Sequence, residues 1–241
     1  MKQVLITGAG QGIGKAMALT FAEHGYHVFI NVRRNTQEVD KLLGEIQRLG
    51  GSASLALFDI NDATQRRQFA QRCDKLDVLI NNAGVLKDNL LVNTPLTDWQ
   101  QIITTNFQSA CALFEQLKTP LLAGEAGTVI NLASIAGVRP RAGQNAYSVS
   151  KRMIIAWTEQ LANAYPSLRC YSISPGPVAT EMIKASPWYQ QPNAHKRIPM
   201  RRFCQPEEIA QVALSLANQA MFRSGSNLVL DGGFSQTLQV A

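Results

Sequence analysis

Two residues with the types and spacing for proton chemistry are Tyr147 and Lys151, which lie four positions apart. Residues 152–162 contain no Gly or Pro, which predicts a helix, and side chains at i and i+4 share one helix face. The Lys151 ammonium would therefore lie beside the Tyr147 phenol and lower the tyrosine pKa from its usual value of about 10. Such a phenol could act as a general acid or base. An ordinary surface pair is the alternative, because this spacing also occurs by chance.

Ser134 is a second candidate because of the strand that leads to it. The apolar run 128–133 predicts a strand, and Ser134 follows at its carboxyl end. Open α/β sheets bind their ligands at the carboxyl ends of their strands. Ser134 is thus predicted to lie at a binding site.

A glycine-rich turn near the start of the chain indicates a nucleotide site. It runs from Gly8 to Gly14, between an apolar strand at residues 4–6 and a helix predicted from about Lys15 to His24. Glycines let the backbone turn tightly and approach a pyrophosphate at the helix N-terminus. The spacing is T-G-x-x-x-G-x-G, because Ile13 occupies the position where G-x-G-x-x-G needs its last glycine.

The end of the second predicted strand, residues 27–32, indicates which dinucleotide binds. Many NAD-binding folds place a carboxylate there for the ribose 2′-hydroxyl, but this chain has Arg33 and Arg34. Guanidinium groups bind phosphate in a bidentate fashion. The pair therefore favours NADP(H) over NAD(H). An exposed arginine pair without a ligand is the alternative.

The remaining pattern alternates strands and helices. Strands are predicted at 54–58, 76–80, 128–133 and 168–173, with helices at about 36–49, 62–73, within 98–123, and from the Tyr147 region to near Pro166. This alternation predicts a mostly parallel sheet with right-handed crossovers. No linker, repeat or low-complexity segment divides the chain. We therefore expect an α/β fold over residues 1–241, a single-domain, doubly wound parallel sheet of the Rossmann type with about seven strands and helices on both faces.

Composition excludes several classes of function. The 241 residues are 46% hydrophobic and 17% charged, with a net charge of +6. The basic residues are scattered, so no nucleic-acid partner is expected, and no apolar run approaches the roughly 18 residues of a membrane span. No signal peptide is recognised. Four separated cysteines without a C-x-x-C pair indicate free thiols in a reducing cytoplasm, and no metal site is predicted.

Together these motifs resemble the classical short-chain dehydrogenase/reductases, in the family's order and spacing along nearly the whole chain. The matching positions are Thr7-Gly8-x-x-x-Gly12-Ile13-Gly14, Asp59, Asn81-Asn82-Ala83-Gly84, Asn106, Ser134, Tyr147-x-x-x-Lys151 and Pro175-Gly176-x-Val178-x-Thr180.

The resemblance implies a division of roles. Tyr147 would be the general acid in ketone reduction, Ser134 would bind the carbonyl oxygen, Lys151 would hold the nicotinamide ribose and lower the tyrosine pKa, and Asn106 would support a water in a proton relay. The residues expected to bind NADP(H) are Gly8, Gln11, Gly12, Ile13, Gly14, Arg33, Arg34, Asp59, Ile60, Asn82, Ala83, Gly84, Tyr147, Lys151, Pro175, Gly176, Val178 and Thr180.

The substrate is indicated by three further segments, 86–91, 198–210 and 230–233, which look like those of 3-oxoacyl-[acyl-carrier-protein] reductases. Carrier proteins are acidic, so a basic enzyme suits them. The chain departs from those reductases at residues 124–127, where basic residues are common in the family. Arg139 and Arg141 are the substitute docking candidates, with simple solvation as the alternative. Two other possibilities are that the chain reduces a free ketone or that it is a non-catalytic dinucleotide sensor.

Two expectations concern parts of the chain around the site. Residues 181–198 are predicted to form a substrate lid, or else a static loop. The helices near 104–122 and 145–165 carry apolar residues on more than one face. With the family resemblance, this predicts a homotetramer, with a dimer as the fallback; the residues concerned are Phe107, Leu113, Phe114, Ile154, Ile155 and Trp157.

Overall fold

The computed structural model describes residues 1–123, 127–184, 188–219 and 224–236. Within these ranges the strands form one seven-stranded parallel sheet in the order β3-β2-β1-β4-β5-β6-β7. The strands are β1 Lys2–Ile6, β2 Tyr26–Val32, β3 Ser52–Leu57, β4 Val78–Asn81, β5 Thr128–Leu132, β6 Arg169–Pro175 and β7 Asn227–Leu230. This is the predicted single-domain Rossmann-type sheet.

Helices connect the strands and cover both faces of the sheet. They are α1 Gly12–Glu23, α2 Gln37–Arg48, α3 Ala63–Ala70, α4 Leu96–Ile103, α5 Ser109–Leu122, α6 Ile135–Val138, α7 Asn145–Ala164, α8 Glu181–Lys184 and α9 Pro206–Asn218. No described helix combines the length and apolarity that would let it cross a membrane.

Alternation along the buried strands explains the two helix layers. In β1, Val4 and Ile6 face one side, where they join a core made with α1, α2 and α9. Leu5 faces the other side and joins a core made with α5 and the end of α7. All three side chains are fully buried. A strand buried on both faces needs a continuous apolar run, which is the pattern the sequence has.

Several predicted boundaries were wrong by a few residues. Helix α1 begins at Gly12 rather than near Lys15, because the end of the glycine turn already belongs to the helix. Helix α3 begins after Asp62, whose carboxylate accepts hydrogen bonds from the backbone N–H groups of Thr64 and Gln65, and it ends at Ala70 rather than Cys73. Strand β4 begins at Val78, where its pairing with β1 starts.

The helical region predicted within residues 98–123 is interrupted. Helix α4 leads into a π-helical turn, Thr104–Gln108, before α5 begins. Asn106 lies inside this turn and is buried. Single π turns inside helices are frequent at functional sites.

The order of the strands determines where ligands can bind. The chain builds outward from β1 in one direction through β2 and β3, and in the other through β4 to β7. The reversal between β1 and β4 leaves a crevice at the carboxyl ends of the strands. The glycine turn, Asn82 and Ser134 all follow strands that end at this edge.

Candidate active site

The glycine turn after β1 allows a very close approach of backbone segments. Gly8 has a φ of +65°, in the left-handed region that favours glycine. A Cβ on Gly14 would clash with the Gly8 carbonyl oxygen and would lie 2.9 Å from the Cα of Ala9. Any larger residue at position 14 would therefore displace the turn. The resulting backbone cradle at the N-terminus of α1 fits a pyrophosphate.

Hydrogen bonds connect this turn to the end of β4. The Asn82 side-chain amide donates to the carbonyl oxygens of Thr7 and Gly8, at 2.8 and 3.2 Å. In return, Thr7 Oγ1 accepts from the backbone N–H groups of Asn82 and Ala83, at 2.9 and 3.0 Å. Thr7 was part of the recognised motif but received no predicted role. Its hydrogen bonds hold together the two segments that are predicted to bind the nucleotide.

A third segment, residues 175–180, closes against the same turn. A Cβ on Gly12 would lie 3.3 Å from Thr180 Cγ2, so the two segments are in contact. Gly176 is equally confined, because a Cβ there would lie 2.7 Å from the Cα of Asp231. Val178 forms an isolated bridge with Cys204, which anchors the segment. The structure thus brings the predicted 175–180 segment to the glycine turn.

The remaining predicted nucleotide residues lie around this cradle. Arg33 and Arg34 directly follow β2 and are exposed, and no hydrogen bond or ion pair forms on either within the described ranges. Asp59 follows β3, and its carboxylate accepts from Asn61 N at 2.8 Å. Ile60 is buried beside it. Gln11 is exposed at the tip of the turn, and Ile13 packs against the core.

The candidate catalytic side chains come from two neighbouring helices. Ser134 caps the four-residue helix α6, where its Oγ accepts from Ala136 N at 3.1 Å. Tyr147 and Lys151 lie on α7, with Lys151 Nζ 5.7 Å from the centroid of the phenol ring. A Cβ on Gly137 would lie 2.7 Å from the backbone carbon of Lys151. The small residue lets α6 pack directly on α7, which brings the three side chains together as predicted.

Lys151 and Asn106 occupy well-defined positions behind the tyrosine. The Lys151 ammonium is buried and donates to the Leu132 carbonyl oxygen at 2.7 Å. The Asn106 amide donates to Val85 O and Ser150 Oγ, while its oxygen accepts from Val85 N at 2.7 Å. Gly84 lies between them: a Cβ there would be 3.3 Å from Asn106 Oδ1 and 3.6 Å from Lys151 Nζ. The Asn81–Gly84 segment therefore borders the candidate catalytic side chains.

The predicted lowering of the Tyr147 pKa was wrong for this structure. Burial raises the pKa of Tyr147 above its usual value, a hydrogen-bonding contribution from Ser134 acts in the opposite direction, and the negative charge of Asp88 adds to the increase. Burial also lowers the pKa of Lys151 to about 8. Both shifts have the same cause, since a low-dielectric site disfavours the charged form of either group. The i, i+4 spacing could not reveal this burial.

The comparison with family models decides the classification. Residues 2–190 match the model described as short chain dehydrogenase. The chain belongs to the short-chain dehydrogenase family. Two relatives are named 3-oxoacyl-[acyl-carrier-protein] reductase FabG: one from Chlamydia pneumoniae is 34% identical and one from Thermotoga maritima is 32% identical. The alignments cover 97% and 96% of this chain, respectively, and 97% of each relative.

Solved structures of other family members have the same fold. A 7α-hydroxysteroid dehydrogenase in complex with NADH and 7-oxo glycochenodeoxycholic acid superimposes with a TM-score of 0.89 and 28% identity, covering 96% of this chain and 93% of the other. A candidate NAD(P)-dependent gluconate 5-dehydrogenase from Beutenbergia cavernae, with NADP bound at low occupancy, gives a TM-score of 0.90 and 29% identity, covering 98% and 97%. The chain is therefore a member of an oxidoreductase family that uses nicotinamide dinucleotides on several kinds of substrate.

Asp88 acts on Tyr147 through its charge and was not given a role in the site from the sequence. Asp88 follows β4 in a long connection, and a side-chain hydrogen bond from Gln144 together with the charge of Arg141 acts on its carboxylate. Burial outweighs both and raises the pKa of Asp88. The sequence offered one signal, because Asp88 belongs to the segment 86–91 that resembles carrier-protein reductases. Its proximity to Tyr147 appears only in the folded chain.

The predicted docking arginines have different environments. Arg139 Nη1 donates to the Ser235 carbonyl oxygen at 2.9 Å, which ties it to the C-terminal segment. The Arg141 guanidinium carbon lies 5.3 Å from the ring centroids of both Trp188 and Phe234. Residues 124–126, which hold most of the departure noted in the sequence, lie outside the described residues.

The predicted lid contains short helical pieces rather than one irregular loop. Helix α8 begins it, and a 3₁₀ turn at Ala194–Arg197 ends it. Between them, Trp188 and Tyr189 pack on Phe203, with ring centroids 5.9 and 4.7 Å apart. Residues 185–187 lie outside the described residues. Movement of the segment stays a prediction.

Four of the six apolar residues that were expected to face a partner subunit are covered by the chain itself, and the oligomeric state stays a prediction. Leu113, Phe114, Ile154 and Ile155 are all buried within the single chain, so they need no partner subunit to cover them. The other two residues of that set, Phe107 and Trp157, are partly buried and contact each other with ring centroids 6.2 Å apart. The two helices carry apolar residues on several faces because α5 also packs on α3, and α7 also packs on α4 and α6, within the same chain.

Proposed function

We propose that this chain reduces the ketone of a 3-oxoacyl thioester, carried by an acyl carrier protein, to the 3-hydroxyacyl thioester with NADPH. The observation that carries the proposal is the convergence of Ser134, Tyr147 and Lys151 beside the nucleotide cradle. Relatives named 3-oxoacyl-[acyl-carrier-protein] reductase, aligned over nearly the whole chain, support this choice of substrate.

The glycine turn, Asn82 and residues 175–180 form a cradle that fits a dinucleotide. Because Gly14 has no side chain, the backbone of the turn can approach a pyrophosphate closely. When bound, the nicotinamide supplies a hydride to the ketone carbon. The exposed Arg33 and Arg34 would hold the 2′-phosphate of NADPH, since neither guanidinium is neutralised by a carboxylate within the described residues. This favours NADP(H) over NAD(H).

The protein side chains would manage the charge that develops on the ketone oxygen. Ser134 and Tyr147 would donate hydrogen bonds to that oxygen, and Tyr147 would deliver its proton to form the alcohol. Burial keeps the phenol protonated, which is the form that a reduction needs. Lys151 would hold the nicotinamide ribose and stabilise the resulting phenolate. Asn106 would support the proton relay behind Lys151.

A carrier protein is acidic, and the chain carries a net charge of +6. Long-range attraction of this kind raises the rate of encounter. We place the approach of the carrier near Arg139, since it lies at the C-terminal segment beside the site. The second candidate function is reduction of a free ketone or oxidation of a free alcohol. The solved relatives named for a steroid and for gluconate favour it, because they share the whole fold.

An absorbance assay of NADPH consumption tests the proposal. Acetoacetyl-carrier protein, acetoacetyl-N-acetylcysteamine and simple free ketones would be compared as substrates at equal concentration. The proposal predicts the highest kcat/KM for the carrier-bound thioester. A free ketone that exceeds both thioesters would support the second candidate function. No consumption with any ketone would contradict both and leave a non-catalytic dinucleotide sensor.

We also propose that the protein forms a homotetramer, or a dimer as the smaller alternative. Support comes from exposed apolar side chains that a partner copy would cover, in the segment around α4 and on α7; these are Leu90, Leu91, Val92, Leu96 and Val149. Light scattering at micromolar concentration tests this, and a monomer mass in an active sample would contradict it.

A further inference from the structure

Arg141 occupies an aromatic cage next to the proposed active site. Its guanidinium carbon lies 5.3 Å from the ring centroid of Trp188 and 5.3 Å from that of Phe234. The two rings are themselves in contact, with centroids 5.8 Å apart and planes inclined by 54°. Aromatic faces attract a guanidinium and hold its plane in a fixed position. The cage therefore fixes the direction in which Arg141 can donate hydrogen bonds.

The charge held in this cage is not neutralised by a direct partner. No hydrogen bond or ion pair forms on the Arg141 guanidinium within the residues that the structure describes, although burial disfavours its charge and lowers its pKa. Arg202, by contrast, makes a bidentate pair with Glu208 at 2.6 and 2.7 Å. Trp188 adds an indole N–H that is buried and has no acceptor among the described residues. Buried donors without acceptors are energetically costly. This cost indicates that a ligand supplies the missing acceptors.

The position of Arg141 relative to Tyr147 links the cage to catalysis. The carboxylate of Asp88 acts electrostatically on both Arg141 and Tyr147, so the three groups share one neighbourhood. Arg197 is close enough to act on Arg141 as a second positive charge. Gln144, which forms a hydrogen bond with Asp88, lies between Arg141 and Tyr147 in the chain, and its backbone N–H donates to Arg141 O at 3.1 Å. The loop that carries Arg141 leads directly into α7.

We propose that Arg141 is a specificity-determining residue that binds an anionic oxygen group of the substrate, a carboxylate or a phosphate. A planar guanidinium donates to either group through two parallel hydrogen bonds. The carboxylate would be that of a free oxo acid, and the phosphate that of the pantetheine arm of a carrier-bound thioester. The proposal rests on the reductase function above and determines which ketones that site accepts.

The alternative is that Arg141 only holds Trp188 and Phe234 in place. A structural role of this kind would affect all ketones equally, whereas an anion site affects only charged ones. The decisive quantity is therefore the ratio of kcat/KM between an anionic ketone and its matched neutral form. One pair is acetoacetyl-4′-phosphopantetheine with acetoacetyl-pantetheine. The other is a series of oxo acids with their methyl esters.

Arg141→Gln should lower this ratio by about 10–100-fold in the pair whose anion binds at the site. Arg141→Lys should keep part of the preference, because the charge remains but the bidentate geometry is lost. The matched control is Arg48→Gln, which removes the same charge at the exposed C-terminal end of α2, and it should leave the ratio unchanged. A lower ratio in the phosphate pair identifies the phosphate of the pantetheine arm as the bound anion. A lower ratio in the carboxylate pair identifies the carboxylate of a free oxo acid.

An equal loss for anionic and neutral substrates, or an unchanged ratio in both pairs, would overturn the proposal. A second measurement keeps it separate from the reductase function. Trp188 is one of three tryptophans, so titration with inorganic phosphate or an oxo acid should change the intrinsic fluorescence of the wild type and not that of Arg141→Gln. If no ketone is reduced, this titration decides, and a wild type without a fluorescence response contradicts the anion site.

Discussion

Around the glycine turn, neighbouring backbone atoms leave no space for a side chain at Gly14, whereas the Arg141 guanidinium lies against the rings of two side chains. In the first region, a Cβ on Gly14 or Gly176 would lie within 3 Å of neighbouring backbone atoms, and Asn82 bonds to two backbone carbonyl oxygens. In the second, Trp188 and Phe234 surround a guanidinium on segments with little regular structure. The two regions are built by different means.

The difference separates what the family shares from what each member selects. Contacts between backbone atoms tolerate few substitutions, so they suit the binding of a common cofactor. Side-chain contacts on loops can change without altering the sheet, so they suit the choice of substrate. The solved relatives fit this division, because proteins named for a steroid and for gluconate share the fold of this chain at TM-scores of 0.89 and 0.90.

The largest effect is expected at the proposed proton donor. Tyr147→Phe removes the proposed proton donor and should lower kcat by about 10²–10⁴-fold, the usual contribution of general acid catalysis. The factor should be similar for carrier-bound and free ketones, because the donor serves every substrate. Steady-state kinetics measure it, and NADPH binding followed by fluorescence is the control. Turnover above half of the wild-type value would remove Tyr147 from the mechanism.

The buried Lys151 allows a test by pH on the cofactor-free protein. Its pKa is about 8 in the folded chain, below the value of about 10.4 expected in the unfolded chain. The unfolded state therefore binds more protons between these values, and stability rises with pH. Relative to Lys151→Met, the wild type should gain about 2–3 kcal/mol in unfolding free energy from pH 7 to pH 10.

Denaturant unfolding at the two pH values measures this gain. Lys41→Met, which removes an exposed lysine on α2, controls for the loss of a positive charge. A constant difference between wild type and Lys151→Met would show that burial does not destabilise the charged ammonium.

The arginines after β2 test the side-chain contribution to the predicted nucleotide site. Arg33→Asp should lower the ratio of kcat/KM for NADPH to that for NADH by about 10–100-fold, through loss of a charge-assisted bond and repulsion of the 2′-phosphate. Tyr147→Phe serves as a comparison, because it should lower both values without changing their ratio. An unchanged ratio in Arg33→Asp would show that Arg33 does not contact the phosphate.

Two glycine substitutions compare confined and open backbone directly. Gly14→Ala places a methyl group against the Gly8 carbonyl and should destabilise the fold by about 1–3 kcal/mol. Gly44→Ala lies within helix α2 with no atom within 4 Å of the added Cβ, and it should stabilise by up to about 1 kcal/mol. Thermal unfolding of both variants measures the contrast. Equal effects would show that the turn is not tightly packed.

The sequence predicted the regions governed by local pattern. Apolar runs and glycine spacing were sufficient for the sheet and for the turn at Gly8–Gly14, whereas the pairing of Ser134 with Tyr147 was expected only from the family resemblance. The environment of Arg141 was not predictable, because Trp188 and Phe234 are distant in the chain and follow no periodic pattern. The Tyr147 pKa was predicted in the wrong direction, since spacing reveals a neighbouring charge but not the burial that outweighs it. The π turn at Asn106 has no sequence signal that we recognise.

The most direct test of the proposed reductase function is the identity of the product formed on an acyl carrier protein. Acetoacetyl-carrier protein would be incubated with the enzyme and NADPH carrying deuterium at the transferable position, and the pantetheine arm would be analysed by mass spectrometry. We expect a 3-hydroxyacyl arm with one deuterium on carbon, formed by the wild type and almost absent with Tyr147→Phe. An arm that keeps its original mass under conditions in which NADPH binds would contradict it.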